Sequence, residues 1–253
     1  MTEVRVFGPG GYRYAGGVFQ YSAGVAAEPG FEIERTQFQE PVPISAGFAA
    51  VESHLKARGR PTTALCACEL RSPGPLSDQD FLSFNRDYVG TLERWGLYRD
   101  GANPVARTNV CPEINPPSTP SLLAFCYTVP AAGSRPGTFA VAGGGEAPEG
   151  KPNYRDYIVR RGDLTADGLR EKVRFVVVEM ERRLMALGFG WRDATSAQAY
   201  TVHDVGALLI NEVWARGAAP RAVAWHYTRP PIVDLEFEMD VRRTAREILI
   251  QQP

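Results

Sequence analysis

The sequence predicts an α+β chain of two tandem units, each a mixed or antiparallel sheet with two helices on one face. Three observations carry this. The order strand, helix, strand, helix, strand, strand occurs twice along the 253 residues. The long helical segments each show a single apolar stripe, which marks one buried face. The last strand of the second pass, Leu235–Val241, alternates strictly between apolar and acidic residues, while its counterpart Leu122–Val129 has no carboxylate. The units are assigned to residues 1–132 and 133–253.

The first pass opens with a strand, Phe19–Val25, that ends in a glycine turn at Gly24. A helix follows, with Ser45 as its N-cap. Phe48, Val51 and Leu55 recur at helical spacing, and Gly59 ends it. Thr63–Leu70 is a short apolar run that reads as a buried strand. Ser72–Ser77, with Pro73, Gly74 and Pro75, is a loop. A second helix runs from Asp78 to Trp95, with Phe81, Phe84, Tyr88 and Leu92 on one stripe. Strands at Ala106–Val110 and Ser121–Val129 close the unit. Ala131–Pro136 is a Gly/Ser/Pro connector.

The second pass begins with the strand Thr138–Gly144. Asp163 or Thr165 can cap the next helix, whose stripe includes Val173, Val176, Val177, Met180, Leu184 and Leu187 before Gly188 stops it. Ser196–Val202 reads as a strand and Val205–Trp214 as a shorter helix. Ala222–Tyr227 and Ile232–Arg242 read as strands. Arg107 overlays Arg221, and the same offset places Leu122 over Glu236.

Net charge is -1, with 28 basic and 29 acidic residues, so no basic excess points to nucleic acid or a membrane surface. No apolar run is long enough to span a bilayer. The segment from Met1 lacks the apolar core of a secretion signal, and a cytoplasmic protein is expected. Cys66, Cys68, Cys111 and Cys126 lack zinc-ligand spacing, and His54, His203 and His226 are scattered. No metal and no disulfide is expected. Gly8–Gly11 and Gly143–Gly145 lack the Lys-Ser/Thr of a nucleotide loop.

Several motifs resemble the Rid (RidA/YjgF) family. Phe81-Leu82-Ser83-Phe84-Asn85-Arg86-Asp87-Tyr88 matches its Phe-x3-Asn-x2-Tyr helix. Val105-Ala106-Arg107-Thr108 is similar to its Pro-Ala-Arg-Ser turn, and Ala23-Gly24 to its Ser-Gly. Arg221 precedes Glu236 at the family's spacing between a carboxylate-binding Arg and a water-positioning Glu. Leu235-Glu236-Phe237-Glu238 is similar to its Ile-Glu-Ile-Glu strand. The first half has Leu122 in place of the Glu, and the second reads Ala219-Pro220-Arg221. At its tandem length the chain also resembles the 2-aminomuconate-type deaminases of aromatic degradation.

The resemblance implies a chorismate-mutase-like fold, a homo-oligomer such as a trimer, and cofactor-free hydrolysis of an enamine or imine carboxylate with release of ammonia. A guanidinium would hold the carboxylate of the small substrate, and a carboxylate would position the attacking water. Glu236, Arg221 and Arg107 are the candidates. Each has a plainer alternative: Arg221 as a salt-bridge partner of Glu236 or Glu238, Glu236 as a solvated carboxylate, Arg107 as a subunit-contact residue. Glu238 and Asp240 read as solvated or paired with Arg242 and Arg243. Asn109, Glu113, Arg229, His226, Asn85 and Gly24 are candidate substrate contacts, Arg229 for a second carboxylate. Tyr88 reads as packing, and Tyr12 and Tyr14 as possible pocket residues. A non-catalytic ligand-binding protein and a ribonuclease or translation inhibitor are the competing functions.

Overall fold

The computed structural model describes residues 3–131, 133, 137–217 and 223–251. Within them the order is β1 (Val4–Phe7), β2 (Tyr12–Ala15), β3 (Gly24–Ala27), β4 (Phe31–Pro43), α1 (Ile44–Ala57), β5 (Leu65–Arg71), α2 (Asp78–Arg94), β6 (Ala106–Pro112) and β7 (Ser121–Pro130). Then come β8 (Phe139–Gly145), α3 (Ala166–Leu187), β9 (Ser196–Thr201), α4 (Gly206–Glu212), β10 (Val223–Arg229), β11 (Glu238–Arg243) and β12 (Arg246–Ile250). The architecture is α+β, a mixed sheet with four α-helices among the described residues.

Two quartets of strands share one order and one pattern of directions. In β4-β7-β5-β6 the first two junctions are antiparallel and the last is parallel. The same holds for β8-β11-β9-β10. A short antiparallel seam joins the quartets, with Thr228 opposite Pro112 and Arg229 opposite Cys111. Strands β1 to β3 extend the sheet beyond β8, and β12 runs parallel to β4.

Each quartet carries its helices on one face. Phe48, Val51 and Leu55 of α1 and Tyr88, Val89 and Leu92 of α2 share a core with Leu70, Leu122 and Phe125. Val173, Val176, Val177, Met180, Leu184 and Leu187 of α3 and Leu209 of α4 pack on Val141, Ala199 and Met239. The capping chemistry is local. Ser77 Oγ accepts the Asp80 amide and Thr165 Oγ1 the Gly168 amide. Gly188 closes α3 at φ 88°, a left-handed conformation that suits glycine.

The N-terminal region departs from expectation. Of the expected Phe19–Val25 strand only Gly24 and Val25 fall in a strand, β3, and the first strand of the quartet is β4 instead. The long alternation from Phe31 carries Glu32, Glu34, Arg35 and Thr36, all buried, so its polar content concealed it. Ser45 lies inside α1, where Pro43 is the N-cap residue. Tyr12 and Tyr14 belong to the core of β2.

The face away from the helices is also buried over much of the quartets, whereas β10 exposes Ala224 to Tyr227. Glu69 and Arg71 of β5, Gln198 and Tyr200 of β9, and Glu238, Asp240 and Arg242 of β11 are all buried. Glu238 and Asp240 are therefore not solvated. Asp240 does lie 3.6 Å from Arg242, and it accepts from Thr108 Oγ1 (2.9 Å) and Tyr200 Oη (2.7 Å). Glu69 takes a two-pronged pair from Arg35, at 2.5 and 2.7 Å, and lies 3.7 Å from Arg242. Burial opposes ionisation of Glu69, but Arg242, Arg35 and Arg71 outweigh it and hold its carboxyl well below the usual range.

A depressed folded pKa contributes stability above the unfolded carboxylate pKa of about 4.3, and that stability is lost as pH falls further. Urea unfolding of Glu69→Ala is expected to show a loss of about 3–5 kcal/mol at neutral pH, because two arginines lose their buried partner. The deficit relative to wild type should shrink below about pH 4.

Candidate active site

Arg107 enters from the second position of β6 and is 3% exposed. Its guanidinium sits among four rings, with centroids at 5.0 Å (Tyr21), 5.6 Å (Phe81), 5.7 Å (Phe84) and 4.9 Å (Tyr88). The matching α2 residues thus form a cage, with Tyr88 buried beneath the cation. Asn85 Oδ1 accepts from Arg107 at 2.6 Å. Among the described residues no carboxylate lies within ion-pair distance of Arg107. A buried cation without a counter-ion is costly, and a bound anion would offset that cost.

Two amides reinforce this reading. Asn109 lines the same pocket, and its Oδ1 accepts from Ser72 Oγ at 3.0 Å, leaving Nδ2 as a buried donor without a partner. The Nδ2 of Asn85 is likewise unpartnered, at an adjoining groove that shares Phe81 and Tyr154 with the pocket.

The facing wall comes from the second half: Gly143–Gly145 at the end of β8, Arg183 of α3, and Leu235 and Glu238 around β11. Arg183 is 1% exposed and fully engaged. It pairs with Glu149 at 3.0 Å and Glu179 at 2.9 Å, and donates to the carbonyls of Ala142 and Gly143. Glycine is needed in this strand for close approach, not for unusual dihedrals. A Cβ on Gly143 would overlap Glu238 Oε1, and one on Gly145 would come within 2.9 Å of Leu235 Cδ1.

Glu238 is 4% exposed, with no hydrogen bond to its carboxyl among the described residues. Burial first, then Asp240, pushes this carboxyl well above the usual range, against the pull of Arg183 and Arg107. The backbone just before it is pinned. Glu146 accepts the amides of Glu236 (2.7 Å) and Phe237 (3.1 Å), and is itself paired with fully buried Lys172 at 3.2 Å. Tyr21 and Tyr154 also line the pocket. Burial raises both phenols, Tyr154 to about 12, so each is a proton-bearing donor at neutral pH.

The other expected residues lie elsewhere. Glu236 is not in this wall; its carboxylate meets His203 Nε2 at 2.7 Å and lies 3.9 Å from Arg229. Arg229 pairs with Glu113 at 2.8 Å in a half-exposed cluster. His226 stacks on Tyr200 and faces Gln198, and burial lowers its pKa. Gly24 packs against Leu187. Arg221 lies outside the described residues. Arg107, Asn85 and Asn109 are thus brought together, while Glu238 and Arg183 are additions. Arg183 had a readable signal: it sits three residues after Met180 and seven after Val176, on the apolar stripe of α3.

Among the described residues no group of three or more His, Cys, Asp or Glu side chains is placed to hold a metal ion. No described helix is long and apolar enough to cross a membrane.

Comparisons place this geometry in context. A 2-amino-5-chloromuconate deaminase of Comamonas testosteroni is 58% identical over 252 residues, covering 99% of this chain and all of the relative. A crystal structure of a chorismatase superposes over 95% of this chain and 78% of its own, at a TM-score of 0.50 and 14% identity. The YjgF gene product from E. coli matches 46% of this chain and 84% of its own, at 14% identity and a TM-score of 0.29. The family described as 2-aminomuconate deaminase CnbZ matches residues 4–248, and the chain belongs to that family.

Proposed function

We propose that the protein hydrolyses an enamine or imine carboxylate, 2-aminomuconate or a substituted relative, to the keto acid and ammonia without a cofactor. The single observation that carries this is Arg107: a buried guanidinium with no counter-ion among the described residues, in a pocket that also holds the unpartnered Nδ2 of Asn109 and, among the same residues, an unbonded carboxyl. Family membership and the 58%-identical deaminase support the substrate class. The planar fork of Arg107 suits both oxygens of a carboxylate, and the surrounding rings exclude water, which strengthens the pairing. Holding the carboxylate there fixes the adjacent C–N carbon in the pocket. The shared strand order of the two quartets supports reading the chain as a duplicated Rid-type unit, with its anion anchor on the first half and its carboxyl on the second.

Ammonia release from 2-aminomuconate-type substrates by the purified protein tests this proposal. A protein that binds dicarboxylates and releases none would be a ligand-binding module instead.

Arg107→Met should raise the Michaelis constant or abolish turnover. Loss of one hydrogen bond to a charged group is about 1.5–3 kcal/mol, roughly 10- to 150-fold in affinity. The same variant should match or exceed wild type in thermal stability, because it removes a buried charge that has no counter-ion among the described residues. A clear drop in melting temperature would instead make Arg107 a structural residue.

A non-reactive dicarboxylate should raise the melting temperature of wild type in a concentration-dependent way. It should do so far less in Arg107→Met, and to an intermediate extent in Asn109→Ala. Equal shifts in all three proteins would place the anion site elsewhere.

A further inference from the structure

We propose that Glu238, on the wall facing Arg107, is the acid that delivers the proton to the enamine carbon and then the base that takes one from the attacking water. This rests on the deaminase reading above. The chain places a carboxyl in the pocket wall, in space that exists because Gly143 has no side chain, and leaves it without a hydrogen-bond partner among the described residues. Glu146 and Lys172 fix the backbone immediately before it. A carboxyl restrained by its backbone but not by partners is free to exchange protons with a ligand.

The groups facing it are Asp240 from its own strand, Glu146 from the segment after β8, Arg107 and Cys111 from β6, and Arg183 from α3. Burial and the two carboxylates favour the protonated form, and the two guanidiniums oppose it. When a substrate carboxylate neutralises Arg107, one opposing charge is cancelled and the acid form gains further.

The steps balance. The Glu238 O–H bond breaks as a C–H bond forms beside the amino-bearing carbon, giving an iminium and a carboxylate. Water adds to the iminium carbon, and Glu238 takes the proton released. The carbinolamine then collapses: Glu238 protonates nitrogen, the C–N pair leaves with ammonia, and the hydroxyl proton returns to Glu238. Enamine and water become ketone and ammonia, and Glu238 is unchanged.

The test compares wild type, Glu238→Gln, Glu238→Asp and Gly143→Ala, with circular dichroism confirming the fold. Ammonia release by Glu238→Gln should fall by about 10²–10⁴-fold, while the non-reactive dicarboxylate still binds. In D2O, wild type should deliver deuterium to one face of the carbon, and the residual reaction of Glu238→Gln should label both faces. The wild-type rate should fall as pH rises and Glu238 loses its proton, and this limb should vanish in Glu238→Gln. Glu238→Asp should recover part of the rate, and Gly143→Ala should lose it.

Near-normal turnover in Glu238→Gln overturns the proposal. So does lost turnover with one-face labelling retained, or lost turnover together with lost binding. A wild type that releases no ammonia overturns the deaminase reading itself.

Discussion

Everything in this fold depends on the burial of charge between the two strand quartets. Each quartet covers one face with helices and turns much of the other toward a buried polar layer. Glu69 holds Arg35 and lies near Arg242, while Asp240 collects Thr108 and Tyr200. Ionised groups removed from water need close partners, and the Glu69–Arg242 approach and the Thr108–Asp240 hydrogen bond cross from one half of the chain to the other. They fix the halves in one relative placement. The pocket inherits that placement, because Arg107 and Asn109 stand on the first half and Glu238 and Arg183 on the second.

The pocket lies where this compensation is incomplete. Within the layer, Arg35 and Arg242 have carboxylate partners; at the edge, Arg107 has rings and an amide. Arg183 is the instructive contrast. It faces the same pocket, yet Glu149, Glu179 and two carbonyls engage it. Two buried arginines that line one pocket thus differ in their partners, not in the side chain.

Helix boundaries were legible because their causes are local. Ser77, Thr165 and Gly188 act through the backbone within a turn of where they stand. Arg107, Asn85 and Asn109 were legible through motif and spacing. The carboxylate that lines this pocket, Glu238, stands two residues from Glu236, the one the sequence singles out. Glu236 and Glu238 have the same parity, and alternation cannot separate them when the strand begins only at Glu238, after a turn with Asp234 at φ 72°. The burial of Glu238 and Asp240 was illegible for a different reason. Alternation reports a strand's two faces, and the other quartet of the same sheet, meeting the polar face through Thr108, leaves no periodic mark. β4 escaped for the same cause, since its glutamates and arginine are buried between elements distant in sequence.

The glycines of β8 have a consequence for how this pocket can change. Its floor is main chain: Gly143 clears room for a carboxyl, Gly144 for Met180 and Arg183, and Gly145 for Leu235. A floor with no side chains offers nothing to trim, and a residue placed there would press on Glu238, on Met180 and Arg183, or on Leu235. New substrate preferences would have to arise at the rim, around Phe81, Tyr154 and Ile232, where side chains from separate segments meet. The chemistry would then be inherited largely unaltered while the shape of the accepted molecule drifts.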